Sequence, residues 1–260
     1  MDLSVKIGKL ILKNPVLVAS GTFGYGKEYK DLIGINKLGA FVTKTITLKP
    51  REGNLPPRIV ETPSGILNSI GLENCGLEVF IKEKLPFLKT LKTAFVVSIA
   101  GYTKEEFSKL AKQLEDEGVK AFELNISCPN IEYRKGKLNF SQDAKSTYAV
   151  VKEVKKSTKL TVITKLSPNV TDISEIAKSA EEAGSDAMSL INTILGMAVD
   201  IDTKKPLLGN ITGGLSGPAV KPVALRVVWE VYNSVKIPII GMGGIMDAND
   251  AIEFIISGAS

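Results

Sequence analysis

Seven short runs along the chain carry apolar residues with little polar interruption. They are PVLVAS (15–20), AFVTKTIT (40–47), AFVVSIAG (94–101), AFELNISC (121–128), TVITKLS (161–167), AMSLINT (187–193) and IPIIGMGG (237–244). Runs of this kind suit strands buried on both faces of a parallel sheet. Between them the spacing becomes helical and capping residues appear. Thr103 precedes KEEFSKLAKQLEDEGV, which Gly118 closes, and Asp172 opens ISEIAKSAEEAG, which ends at Gly184. Residues 221–235 read as a further helix, and Asp247 opens ANDAIEFIISG. Repeated strand–helix units predict an α/β fold around a parallel sheet. The polar or Gly-rich ends of the runs favour a (β/α)8 TIM barrel, whose chemistry gathers at the C-terminal ends of its strands.

Two segments stand outside this repeat. Residues 3–13 (LSVKIGKLILK) alternate around a Gly and predict a hairpin capping the barrel bottom. Residues 48–77 are long and rich in Pro and Gly, and are expected to form a lid loop over the top. The pattern supplies seven strands, and a barrel of eight cannot close with seven. The expectation is therefore a single domain over 1–260, truncated at its C-terminus, with its eighth strand missing and an open seam between the first and seventh strands.

Composition narrows the chemistry. A chain of 260 residues that is 44% hydrophobic suits one α/β barrel domain. No signal-peptide pattern and no membrane-length apolar run is present, which reads as cytoplasmic with no membrane partner. The net charge of +5 is spread over many lysines. With no basic block interleaved with aromatics, this suits anionic small ligands better than nucleic acid. The chain contains no His. That excludes Ser-His-Asp and Cys-His machinery and the common zinc sites, so no metal is expected. The two Cys cannot build a disulfide framework.

The strand ends carry the candidate residues. NISCPN (125–130) sets Asn125 at the end of a run and Cys128 in the loop beyond it, where Pro129 prevents an immediate helix. A lone thiol is commonly a buried structural side chain. Cys128 differs in its company, and a thiol titrating near pH 8.5 can act as a base near neutrality. TKT (43–45) and TKLSPN (164–169) each bring a lysine, Lys44 and Lys165, to a strand end. A surface lysine is the ordinary alternative, but an inward ammonium after an apolar run is costly unless it meets an anion. GMGG (241–244), with GGLSG (213–217) before the helix from Lys221, suits a phosphate held by backbone and helix N-terminus. PSGILNSIGLENCG (63–76) reads as a lid packed over a ligand by Ile66, Leu67, Ile70 and Leu72. Cys75 within it reads as structural.

Taken together, NPVLVASGTFGYG, KTITLKPREGNLPPRIVETPSGILNSIGLENCG, ELNISCPN, TKLSPNV, INT, GGLSGPAVKPVALR and IPIIGMGGI make the chain resemble the class 1 dihydroorotate dehydrogenases over essentially its full length. Cys128, where the membrane-associated class has Ser, points to the soluble class. ETPSGILNSIGLEN and GGLSGPAVKPVALR resemble the B subtype. The resemblance implies oxidation of dihydroorotate to orotate in pyrimidine biosynthesis, with FMN as cofactor and NAD as final acceptor. It also implies a partner subunit carrying FAD and a 2Fe-2S cluster, in a heterotetramer of two catalytic and two electron-transfer subunits.

The same resemblance assigns FMN contacts to Ser20, Lys44, Thr45, Ser98, Asn125, Lys165, Ile191, Gly217, Gly243 and Gly244. Substrate contacts fall on Lys44, Asn68, Ser69, Ile70, Gly71, Leu72, Asn125, Asn192 and Thr193. Cys128 would remove the C5 proton while hydride passes from C6 to flavin N5, and Lys165 would steady negative charge on the reduced flavin. The chain departs from the family pattern twice. Ser98 stands where the family has an FMN-contacting Asn, and the Gly-Thr phosphate contact of strand eight is missing, so poor FMN binding is expected. Three alternative readings remain at this point: a dihydropyrimidine dehydrogenase-type FMN module, a fumarate-linked class 1 enzyme, and a barrel that has lost catalysis.

Overall fold

The computed structural model describes residues 2–30, 34–127 and 140–260. The chain opens with an antiparallel hairpin, β1 (Val5–Ile7) and β2 (Leu10–Leu12), in the segment where alternation predicts it. β3 (Leu17–Val18) and β4 (Ala40–Val42) follow, and then a second hairpin, β5 (Ile59–Thr62) and β6 (Gly65–Asn68). α1 (Gly76–Val79) and α2 (Leu85–Leu88) flank a π-helical stretch, Phe80–Lys84. Next come β7 (Ala94–Ile99), α3 (Lys104–Asp116), β8 (Ala121–Asn125), α4 (Ala144–Ser157), β9 (Thr161–Lys165), α5 (Ile173–Glu182) and β10 (Ala187–Leu190). Four short strands then precede the last units: β11 (Ile194–Met197), β12 (Val199–Asp200), β13 (Lys205–Pro206) and β14 (Thr212–Ser216). α6 (Lys221–Tyr232), β15 (Ile239–Gly241) and α7 (Ala248–Ile256) complete the described chain.

The seven apolar runs supply the seven strands of one parallel sheet, in the order β15-β10-β9-β8-β7-β4-β3. Its curl follows from its packing. Ala40 and Val42 of β4 share one buried cluster with Val96, Ala121, Ile163, Ala187 and, from the far edge, Ile240 of β15. In a flat sheet β4 and β15 would lie five strand spacings apart, about 24 Å. Only a wrapped sheet brings these side chains onto one inner face. Ile7 and Leu12 of the hairpin join the same cluster, so the hairpin caps the barrel bottom. The helices cover the outer face, where Phe107, Leu110, Val150, Val154, Ile176 and Val227 pack. Among the described residues β3 and β15 are the edges of this sheet.

The helix caps follow their side-chain chemistry. Thr103, Asp143, Asp172 and Asp247 each accept backbone N–H bonds at the start of α3, α4, α5 and α7. The pattern had not marked α4 or the helical turns of 76–88. The helix from Lys221 ends at Tyr232, short of residue 235. No helix among the described residues is long and apolar enough to cross a membrane.

The lid requires a correction. Residues 48–77 are not an irregular loop throughout. β5 and β6 form a hairpin whose β6 pairs with β14, and β14 pairs with β11, giving a four-stranded antiparallel sheet beyond the barrel's strand ends. GGLSG is accordingly strand rather than a phosphate loop, and only its last residue, Gly217, leaves the ladder. Its glycines have a packing reason: a Cβ on Gly214 would lie 2.0 Å from the Thr193 hydroxyl oxygen.

Candidate active site at the strand ends

Strand alternation sorts the candidate residues. Val96, Ala121 and Ile163 face the inner cluster. Ser98, Asn125 and Lys165, each two or four residues further along the same strands, therefore face inward near the C-terminal ends. Lys44 and Thr45 are neighbours, and strict alternation would send one of them out. The register shows how both are used. Val42 pairs with Val96, but Ile46 bridges to Ile99, so the β4 side holds one residue more than β7 between the two pairings. This bulge shifts the alternation, leaving Ile46 in the outer core and Thr45 opposite Ser98.

A hydrogen-bonded belt then runs around the strand ends. Ser20 donates to the Thr43 carbonyl at 2.8 Å, and its oxygen lies 3.3 Å from Thr45 Oγ1. Thr45 Oγ1 is 2.8 Å from Ser98 Oγ and accepts from Asn125 Nδ2 at 3.0 Å. Ser127 Oγ reaches Asn125 Oδ1 at 3.5 Å and accepts from Asn192 Nδ2 at 2.9 Å. Asn192 Oδ1 accepts from the Thr193 N–H at 2.8 Å. Ser20, Thr45, Ser98, Asn125, Asn192 and Thr193 are thus gathered into one network. Ser127 and Asn169 belong to it and were not singled out from the sequence. Asn169 donates to the Thr193 carbonyl at 3.0 Å and accepts from Leu195 N–H at 2.9 Å. Ser127 sits two residues after Asn125, a spacing that could have flagged it.

Lys165 is 6% exposed, and its ammonium forms no ion pair or hydrogen bond with a described residue. Lys44 is half buried and equally unpaired through its side chain. Two cations without a direct hydrogen-bond or ion-pair partner among the described residues create a field for an anion at the strand ends. Ile191 is buried, and its N–H donates to the Met242 carbonyl at 3.1 Å.

The backbone builds a second feature. Gly217 and Gly244 have φ of 99° and 76°, in the region that favours glycine. A Cβ on Gly244 would meet Gly217 O at 2.8 Å and Lys221 N at 2.9 Å, where Pro218–Val220 winds into α6. Gly243 lies beside it with φ 117°. These glycines let the backbone pack closely at a helix N-terminus, where main-chain N–H groups favour a phosphate. Together with the unpaired cations and the polar belt, these groups suit an anionic ligand that carries a phosphate.

The lid residues are pinned from behind. Ser69 N–H donates to Arg58 O at 2.7 Å, Asn54 Nδ2 donates to Ser69 Oγ at 2.9 Å, and Asn54 N–H donates to Ile70 O at 3.0 Å. Gly71 and Leu72 both turn through positive φ. Asn68 Nδ2 donates to the Gly214 carbonyl at 3.3 Å. Cys75, half buried, lies 3.7 Å from the Tyr25 hydroxyl, and burial first, then this contact, pushes the Tyr25 hydroxyl to ionise well above its ordinary range. Cys128 lies outside the described residues.

Known proteins resemble the chain throughout its length. The family model described as dihydroorotate dehydrogenase matches residues 2–260. A protein of Desulforamulus reducens named dihydroorotate dehydrogenase B (NAD(+)), catalytic subunit, is 58% identical over 260 residues, covering 100% of this chain and 85% of the relative. Proteins of the same name from Thermoanaerobacter sp. (strain X514) and Geobacter sulfurreducens are 55% and 53% identical, again over 100% of this chain and 85% of each relative.

Proposed function

The chain belongs to the dihydroorotate dehydrogenase family, and from that premise we propose that it is the catalytic subunit of an NAD-linked enzyme oxidising (S)-dihydroorotate to orotate in pyrimidine biosynthesis. The observation that carries the reading is Lys165, a buried ammonium without a protein partner, set beside the polar belt at the strand ends. Such a charge is stable there when an anionic ligand completes it.

Residues 1–260 act in this reading as one FMN-binding barrel domain. Gly217, Gly243 and Gly244 would hold the phosphate, and Ser20, Lys44, Thr45, Ser98, Asn125, Lys165 and Ile191 would surround the ring. When bound, FMN would supply the acceptor for the hydride leaving substrate C6. Cys128 would take the proton from C5. Lys165 would provide positive charge where negative charge develops. Lys44, Asn125, Asn192 and Thr193 would orient the dihydroorotate ring, and Asn68, Ser69, Ile70, Gly71 and Leu72 would close over its carboxylate and exclude water. The belt favours this role because its members already hold one another in place, so little order is lost on binding.

The relatives' printed name supports an electron-transfer partner. We assign that partner FAD and an iron–sulfur cluster, in a complex of two catalytic and two electron-transfer subunits in the cytoplasm. The same name favours NAD over fumarate as acceptor, and dihydroorotate over dihydropyrimidines.

The test is anaerobic mixing of the FMN-loaded chain with dihydroorotate or dihydrouracil. Bleaching of the flavin absorbance by dihydroorotate alone is expected. Bleaching by dihydrouracil alone would replace this reading with the dihydropyrimidine one, and reoxidation by fumarate would remove the NAD assignment.

A further inference from the structure

β8 carries a carboxylate on the inner face of the sheet, between an apolar layer and the site. Glu123 is 1% exposed and alternates with Ala121 of the inner cluster and Asn125 of the belt. Its Oε2 accepts from the Ser189 hydroxyl at 2.9 Å. Its Oε1 is also out of solvent and has no hydrogen-bond partner among the described residues. A carboxylate so placed gives up its hydration for one hydrogen bond, and a nearby positive charge is what offsets that loss.

The register identifies that charge. Glu123 stands opposite Ser98 on β7 and Ile163 on β9. Lys165 lies two residues beyond Ile163 on the same face and is itself buried and unpaired. Diagonal positions on adjacent strands are about 7–8 Å apart, within the span of two long side chains. Lys44 follows β4, and β7 separates β4 from β8. No direct ion pair joins Glu123 to Lys165, so the two charges act on each other through space.

We propose that Glu123 is the buried counter-charge of Lys165, and that its carboxylate moderates the field the ammonium exerts on the flavin. The inference rests on the flavin reading of the site. Lys165 is nearer the strand ends and Glu123 lies one layer below, so a ligand meets the positive charge first and the negative charge only weakens it. Neutralising the two residues should therefore have opposite effects, which a purely structural role would not produce.

Two measurements test this. In the full chain freed of flavin, a double-mutant cycle of Glu123→Gln and Lys165→Met, read by urea unfolding, should show coupling of about tenfold in the unfolding equilibrium constant. Additive effects would overturn the pairing. In the FMN-loaded chain, Glu123→Gln should raise the flavin midpoint potential and Lys165→Met should lower it. A Lys165→Met shift with no opposite shift in Glu123→Gln would overturn the moderating role and leave the flavin reading standing. If the unaltered chain takes up no FMN, or Lys165→Met leaves the potential unchanged, the flavin reading fails, while the cycle still decides the pairing. Ser189→Ala removes the hydrogen bond to the carboxylate and serves as a second variant. It leaves the carboxylate charge in place and less screened, so it should lower the potential, opposite to Glu123→Gln, and a raised value would count against the proposal.

Discussion

The Asn125 side-chain amide donates to Thr45 Oγ1 across 3.0 Å, although 80 residues separate them in sequence. Thr45 also contacts Ser98 and Ser20. One hydroxyl thereby links the end of its own strand, β4, to those of three others, β3, β7 and β8. Thr45→Val keeps the shape and removes that link, leaving buried polar atoms of Ser98 and Asn125 without this partner. Stability should fall by about 1–3 kcal/mol, measurable by urea unfolding, and FMN should dissociate more readily. An unfolding midpoint equal to that of the parent would show that the belt contributes nothing.

Replacing the thiol should separate binding from chemistry. Cys128→Ser should keep FMN yet reduce it at least about 100-fold more slowly at neutral pH, because a hydroxyl is a far weaker base. Stopped-flow reduction at the parent rate would remove Cys128 from the mechanism.

Lys165→Ala should make the flavin harder to reduce. Its buried ammonium forms no direct hydrogen bond or ion pair with a described residue, so the field that Glu123 leaves uncancelled falls on the ligand. A redox titration should give a lower midpoint potential, and an unchanged value would refute the assignment.

The chain alone should reduce artificial acceptors with dihydroorotate but hardly reduce NAD. No G-x-G-x-x-G follows a strand and opens a helix in this sequence. Rapid NAD reduction by the single chain would defeat the two-subunit reading.

Asp143 caps α4 by accepting the Ser146 N–H at 2.7 Å, and its carboxyl is held below the ordinary 3.8 first by a side-chain hydrogen bond with Ser146 and then by this backbone bond. Asp143→Ala should cost about 1 kcal/mol. A depressed folded value means the charged form stabilises the fold above pH 3.8 and that contribution is lost as pH falls through the lower, folded value. The variant and parent should therefore converge in stability, followed by thermal unfolding, once the pH has fallen below that lowered value. A gap that persists there would assign the effect to packing instead.

The sequence by itself determined the sheet. Each apolar run became a parallel strand because a strand covered on both faces needs an uninterrupted apolar segment, a requirement local enough to read from ten residues. The caps at Thr103, Asp172 and Asp247 were legible for the same reason, since a cap bonds its own first turn. Motif content also marked the strand-end residues of the belt. Long-range register decided the rest. The bulge that brings Thr45 inward beside Lys44 exists only in the offset between the Val42–Val96 and Ile46–Ile99 pairings. The hairpin at 59–68 looked like loop because its strands are short and half polar, and β6 gains its ladder from β14, some 146 residues away at the Asn68–Gly214 contact. Glu123 drew no notice inside AFELNISC, because one charge in an apolar run does not disclose its neighbours. Only the pairing register of β8 with β9 sets it one layer beneath Lys165, where two buried charges too far apart in sequence to be paired by pattern fall within each other's field.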